Sequence, residues 1–133
     1  MVAPVYPVMA QTPVSMSQNI NLYISCRKLK DLDVISKSDP QCFFYVQGKD
    51  KRWQEAGKTE CISDNLNPDF QTFFTTEYVF EKHQKVRFEV YDVDVASRDQ
   101  QGYIETTIGM IMGARNQTFE ADLKHDTSKG RRG

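Results

Sequence analysis

The chain has 133 residues, 39% hydrophobic and 26% charged, which is enough apolar material for one buried core and too short for two domains of ordinary size. Its formal net charge of -1 lacks the Lys and Arg excess that gripping phosphate backbones requires, which argues against a constitutive nucleic-acid binder. Cys26, Cys42 and Cys61 stand apart, with no C-x-x-C pair and no histidine at zinc spacing, and so predict reduced thiols rather than a disulfide framework or a zinc site.

Residues 1–17 carry Pro4, Pro7 and Pro13, which interrupt any apolar stretch a secretory signal would need, and they read as a flexible tail. From Ile20 the pattern has period two: Ile20, Leu22, Ile24 and Cys26 alternate with Asn21, Tyr23, Ser25 and Arg27, as in a half-buried strand. Phe43 to Val46 and Phe70 to Phe80 are rich in aromatic and β-branched residues and read as strands. Lys85 to Asp94 alternates most cleanly, with Val86, Phe88 and Val90 on one face. Ile104, Thr106 and Ile108 repeat the alternation, Gly109 to Gly113 allows one helical turn, and Thr118 to Leu123 is a short final strand. Turn signals at Ser38-Asp39-Pro40, Gly48-Lys49-Asp50, Asn65 to Pro68 and Ser97 to Gly102 punctuate these runs. Short, regularly spaced strands without long helices predict an all-β, antiparallel β-sandwich over residues 18–126, followed by a basic tail or linker at 127–133.

The stripe Val86, Phe88, Val90 continues in the same parity to Asp92 and Asp94. A bare carboxylate in a core is too costly, so the strand must leave the sandwich near Asp92 and present these groups at its rim. Asp99 follows in the same loop, and Asp33 and Asp39 bracket another loop between the first two strands. If both loops lie at one end, five carboxylates share a cleft. Like charges about 4 to 5 Å apart repel by roughly 3 to 4 kcal/mol at an effective dielectric of 20, so such a cleft calls for a cation. All-oxygen donors on loops suit Ca²⁺ better than the strict octahedron of Mg²⁺. The plainer reading of each aspartate taken singly is a turn residue. An EF-hand is rejected, because Ala96 stands where that loop needs its third ligand and a strand precedes it.

Leu32-Asp33 with Ser38-Asp39-Pro40, Asn65-Leu66-Asn67-Pro68-Asp69-Phe70, Phe88-Glu89-Val90-Tyr91-Asp92-Val93-Asp94 and Asp99-Gln100-Gln101-Gly102 resemble the signature of a C2 domain. Ser25 to Leu29, Trp53 to Glu60 and Gln84 to Phe88 make the first C2 domain of copines the most similar text, from about Ile20 to the C-terminus. The resemblance implies an eight-stranded Greek-key sandwich of type II topology, with about seven strands counted here and the last expected to be missing from this chain. It also implies two or three calcium ions, with Asp33 and Asp39 as ligands from the first loop and Asp92, Asp94 and Asp99 from the third. The backbone carbonyls of Leu32 and Val93 and the Ser97 hydroxyl match supplementary ligand positions, and Asn67-Pro68 matches a structural turn. The Asp94 to Asp99 spacing is about one residue shorter than is usual in the family.

Two bound Ca²⁺ would take the net charge from -1 to about +3, concentrated at one end. Val34, Ile35 and Val95 are apolar where solvated turns are usually polar, and either pack across the cleft or insert shallowly among headgroups; Lys37 and Arg98 flank the same loops and can meet anionic lipid. Lys49, Lys51 and Arg52 read as a solvated hairpin or a lipid patch. No catalytic motif is found: Gly-x-Ser-x-Gly, His-Glu-x-x-His and a phosphate loop are missing, and His83 and His125 stand alone. The expectation is a monomeric, non-enzymatic, cytoplasmic module that moves to the plasma or other membranes with calcium and docks on anionic phospholipid. The alternative is a calcium-independent C2 domain that binds protein partners.

Overall fold

The computed structural model describes residues 17–31, 38–94 and 98–125. Six strands form among them: β1 (Ser17–Leu22), β2 (Pro40–Gln47), β3 (Trp53–Lys58), β4 (Phe74–Val79), β5 (Lys85–Val93) and β6 (Arg98–Thr107), followed by a short helix α1 (Ile108–Gly113). β1 and β4 make a two-stranded sheet, and the other four lie in the order β3-β2-β5-β6, every pair antiparallel. This is the antiparallel all-β sandwich expected, with two isolated bridges beside the six strands.

The alternation along each strand decides what lies between the sheets. Cys42, Phe44, Val86 and Val90 from the larger sheet and Leu22 and Phe74 from the smaller one form a common buried cluster with Leu29, Phe70 and Ile108. Phe44 stacks on Phe74 across the sheets at 4.9 Å and on Phe88 within its own sheet at 5.1 Å. Truncating a ring in such a position costs about 3 to 5 kcal/mol.

Strand β3 was not foreseen from the sequence, because Gln54-Glu55-Ala56-Gly57 has no apolar stripe. It is an edge strand in which Gly57 faces the core, and a Cβ there would meet the Phe74 ring at 3.0 Å. The stretch expected as a turn at Ser97 to Gly102 is, from Arg98 on, the first half of β6. The first strand ends at Leu22, earlier than its stripe suggests. Beyond it the chain stays beside residues 66–70 through single bonds, Phe70 N to Ile24 O at 3.1 Å, Cys26 N to Pro68 O at 2.9 Å and Leu29 N to Leu66 O at 3.0 Å. Thr118 to Leu123 forms no strand; the segment is fastened by Lys124, which exchanges two 2.8 Å backbone hydrogen bonds with Tyr103 of β6. Gly102 makes that approach possible: its φ is +155°, and a Cβ there would lie 2.7 Å from Leu123 Cβ.

The outward face of the larger sheet pairs charge with aromatic rings. Arg87 contacts Glu89 at 2.6 Å and Glu105 at 2.5 Å, and its guanidinium lies 3.8 Å from the centre of the Tyr103 ring. Lys49, Lys51 and Arg52 are exposed in the β2–β3 hairpin, and His83 is exposed in the β4–β5 hairpin.

Candidate functional site

The end of the larger sheet where β2 begins and β5 ends collects the carboxylates. Asp92 is the last core-facing residue of β5, and its register sets it opposite Pro40 of β2 on one side and Asp99 of β6 on the other. Asp39, one residue before β2, is therefore a neighbour of Asp92. Asp39 N donates to Asp92 Oδ1 at 2.9 Å, and Val93 N donates to Asp39 O at 3.0 Å. Asp94 follows the end of β5 and is exposed, as is Asp99. Thus Asp39, Asp92, Asp94 and Asp99 belong to the same end of one sheet.

Asp92 is 3% exposed. Among the described residues no Lys or Arg lies within ion-pair distance of Asp39, Asp92 or Asp99; the acidic partners in the ion pairs found elsewhere are Asp50, Asp69, Glu89 and Glu105. A buried carboxylate that rests on a backbone N–H and has no cationic side chain beside it is the situation that a bound cation relieves. The donor chemistry, hard oxygens throughout, fits Ca²⁺. Among the described residues alone, no three His, Cys, Asp or Glu side chains come close enough together to hold a metal. Leu32, Asp33, Val34, Ile35, Lys37, Val95 and Ser97 lie outside the described residues.

Two neighbours of this end escaped the sequence reading. Asp64, in the left-handed region at φ 54°, donates its backbone N–H to Asp39 Oδ1 at 2.6 Å. Cys61 Sγ donates to Asp39 O at 3.3 Å; partial desolvation, then the charges of Asp39 and Asp92, push its thiol upward, a sign of negative potential here. Both come from the β3–β4 connection, where no acidic or thiol spacing flags them. Arg98, expected at the loop flank, is exposed at the start of β6, and its guanidinium lies 4.6 Å from the centres of both the Phe43 and Tyr91 rings.

A family model described as "C2 domain" matches residues 21–125. The chain belongs to the C2 domain family. Among curated relatives of this C2 domain, nicotinic receptor-associated protein 1 of Caenorhabditis elegans is 38% identical over 117 residues, covering 71% of this chain and 18% of that protein. Copine-A of Dictyostelium discoideum is 36% identical over 113 residues, covering 85% of this chain and 19% of that protein. The domain thus spans about a fifth of the length of the curated relatives it matches. A solved structure of a pair of C2 domains from extended synaptotagmin 2, calcium bound, superposes with a TM-score of 0.55 at 21% identity, over 71% of this chain and 35% of that one, a likeness of fold.

Proposed function

We propose that this C2 domain is a calcium-dependent module for docking on anionic phospholipid membranes. The observation that carries the reading is the buried Asp92 carboxylate, hydrogen-bonded to the Asp39 backbone, set opposite Asp99 and without a cationic side chain among the described residues. Asp39, Asp92, Asp94 and Asp99 with Asp33, the carbonyls of Leu32 and Val93 and the Ser97 hydroxyl form the ligand set for two or three calcium ions. The calcium-bound extended synaptotagmin 2 domains share the fold and support the choice of ion. Calcium supplies positive charge and open coordination positions that lipid phosphate or carboxylate oxygens can fill, and linkage then makes lipid tighten calcium binding by the same factor. Val34, Ile35 and Val95 with Lys37 and Arg98 are the membrane contacts. In this reading the domain is monomeric, cytoplasmic and non-catalytic, and no helix among the described residues is long and apolar enough to cross a bilayer.

Sedimentation with phosphatidylserine-containing vesicles, in calcium or in EGTA, tests the proposal. The domain is expected to pellet with calcium and to stay in the supernatant with chelator. Equal pelleting in both conditions favours calcium-independent contact with lipid, and absence from both pellets favours a protein-binding role.

A further inference from the structure

Gln101 is a polar side chain only 3% exposed, and it enters the interior where the β5–β6 register shifts. Val90 pairs with Gly102 and Tyr91 with Gln100, so Gln101 is the extra residue of a β-bulge and is free to turn its side chain away from the ladder. Its amide reaches across to the connection between β1 and β2. Oε1 accepts from Lys30 N at 3.1 Å, while Nε2 donates to Lys30 O at 2.6 Å and to Ser38 Oγ at 3.1 Å. The Ser38 hydroxyl, fully buried, donates to the same Lys30 carbonyl at 2.8 Å.

Lys30 and Ser38 flank positions 31–37, the segment that contains Asp33. One amide from β6 therefore ties both stems of that segment to the strand that carries Asp99. The bond pattern continues from there: Ser38 is followed by Asp39, whose N–H rests on Asp92 Oδ1. A leucine in place of Gln101 could fill the volume, but it would leave the Lys30 N–H without its acceptor and the Lys30 carbonyl with the Ser38 hydroxyl in place of two donors.

We propose that Gln101 is a positioning residue of the calcium site, fixing the Lys30 backbone and the Ser38 side chain to β6 and so setting Asp39 against Asp92 before an ion arrives. The proposal rests on the calcium reading above and adds a residue whose hydrogen bonds among the described residues go to Lys30 and Ser38, not to a candidate ligand side chain. It acts through the backbone of Lys30 and the hydroxyl of Ser38, as outer-shell partners of metal sites do.

The test compares the full chain with Gln101→Leu, Ser38→Ala and Val86→Ala, the last a buried β5 core residue distant in sequence from both stems. Calorimetry with calcium chloride is run beside hydrogen exchange of the Lys30 and Asp39 amides in calcium-free buffer. Gln101→Leu is expected to weaken calcium binding about tenfold or more and to speed exchange at both amides. Ser38→Ala, which leaves both Gln101–Lys30 bonds in place, shifts both readouts in the same direction, and serves if the leucine variant does not fold. Val86→Ala, destabilised through packing, leaves calcium affinity near wild type. Unchanged affinity and exchange in Gln101→Leu, or in Ser38→Ala where that variant stands in, overturns the proposal, as does an equal loss of affinity in Val86→Ala. If the wild-type chain binds no calcium, the functional reading falls and takes the metal role of Gln101 with it. The exchange data then still separate a real lock, seen as acceleration in the variants, from none.

Discussion

Replacing Asp92 by Asn keeps a carbonyl that can accept the Asp39 N–H now held at 2.9 Å and removes the charge from a group that is 3% exposed. In the metal-free protein two effects oppose each other. A neutral acceptor weakens the hydrogen bond by about 1 kcal/mol. A like charge about 5 Å away repels by about 3 kcal/mol at an effective dielectric of 20, and solvent screening at exposed Asp99 and half-buried Asp39 reduces this toward about 1 kcal/mol, so the two nearly cancel. The metal-free melting temperature should move by only a few degrees. Calcium is the larger lever: at about 100 times its dissociation constant it adds about 2.7 kcal/mol, or about 10 °C for a domain of this size. With exposed loops giving an affinity on the order of 10⁻⁵ to 10⁻⁴ M, about 1 to 10 mM calcium reaches that ratio. Thermal unfolding followed by circular dichroism, in calcium and in EGTA, should show the rise in wild type and lose most of it in Asp92→Asn. A calcium-induced rise of wild-type size in the variant refutes the assigned site. A metal-free melting temperature lowered by about 10 °C or more would instead mean that the Asp92 charge holds the fold together.

Three further outcomes follow from other residues. The Thr106 hydroxyl is a buried side-chain oxygen with no hydrogen-bond partner among the described residues, so Thr106→Val, similar in shape, should raise stability by about 1 kcal/mol, read from the urea midpoint. Gly102→Ala places a Cβ 2.7 Å from Leu123 Cβ and 2.9 Å from Lys124 O, and should cost about 2 kcal/mol or more, with faster amide exchange at Lys124 as the chain end lifts from β6. At Glu60, desolvation pushes the carboxyl upward, but hydrogen bonds from Gln71 N at 2.6 Å and Thr72 N at 3.1 Å outweigh it and bring the carboxyl to about 2. The folded value lies below the unfolded one of about 4.3, so this stabilisation is complete above that pH and is lost as pH falls toward about 2. A Glu60→Gln chain should lose less stability than wild type across that window, and superimposable acid profiles would contradict the assignment.

The parts of the fold that were legible in the sequence are those where burial on one face imposes period two. Val86, Phe88, Val90 and Asp92 define β5 and locate the acidic end, because a carboxylate cannot continue a core stripe unless the strand is about to emerge. Ile104 and Thr106 mark the second half of β6 for the same reason, while Ile108, next in that stripe, is the first residue of α1. Edge strand β3 has little to bury, and its core-facing position is Gly57, which adds no apolar signal. The first half of β6 is polar and bulged, so Arg98 to Gln101 read as a turn. Within the site, Asp92 is visible as a charge at the end of a core stripe, and Asp39 through the Ser38-Asp39-Pro40 turn and the resemblance it carries. Asp64 and Cys61 are not, since they arrive from a connection that tertiary packing alone brings beside Asp39. Gln101 is hidden for another reason: a glutamine in a polar run looks solvated, and only the bulge turns it inward.

Arg87 has a consequence for anything negatively charged that meets the broad side of this domain. Its guanidinium is already divided between Glu89 and Glu105 and capped by the Tyr103 ring, with its side chain 13% exposed. A phosphate arriving there meets a positive charge already paired with two carboxylates. This cluster, one cation against two carboxylates, therefore carries net negative charge and offers an anionic surface little attraction.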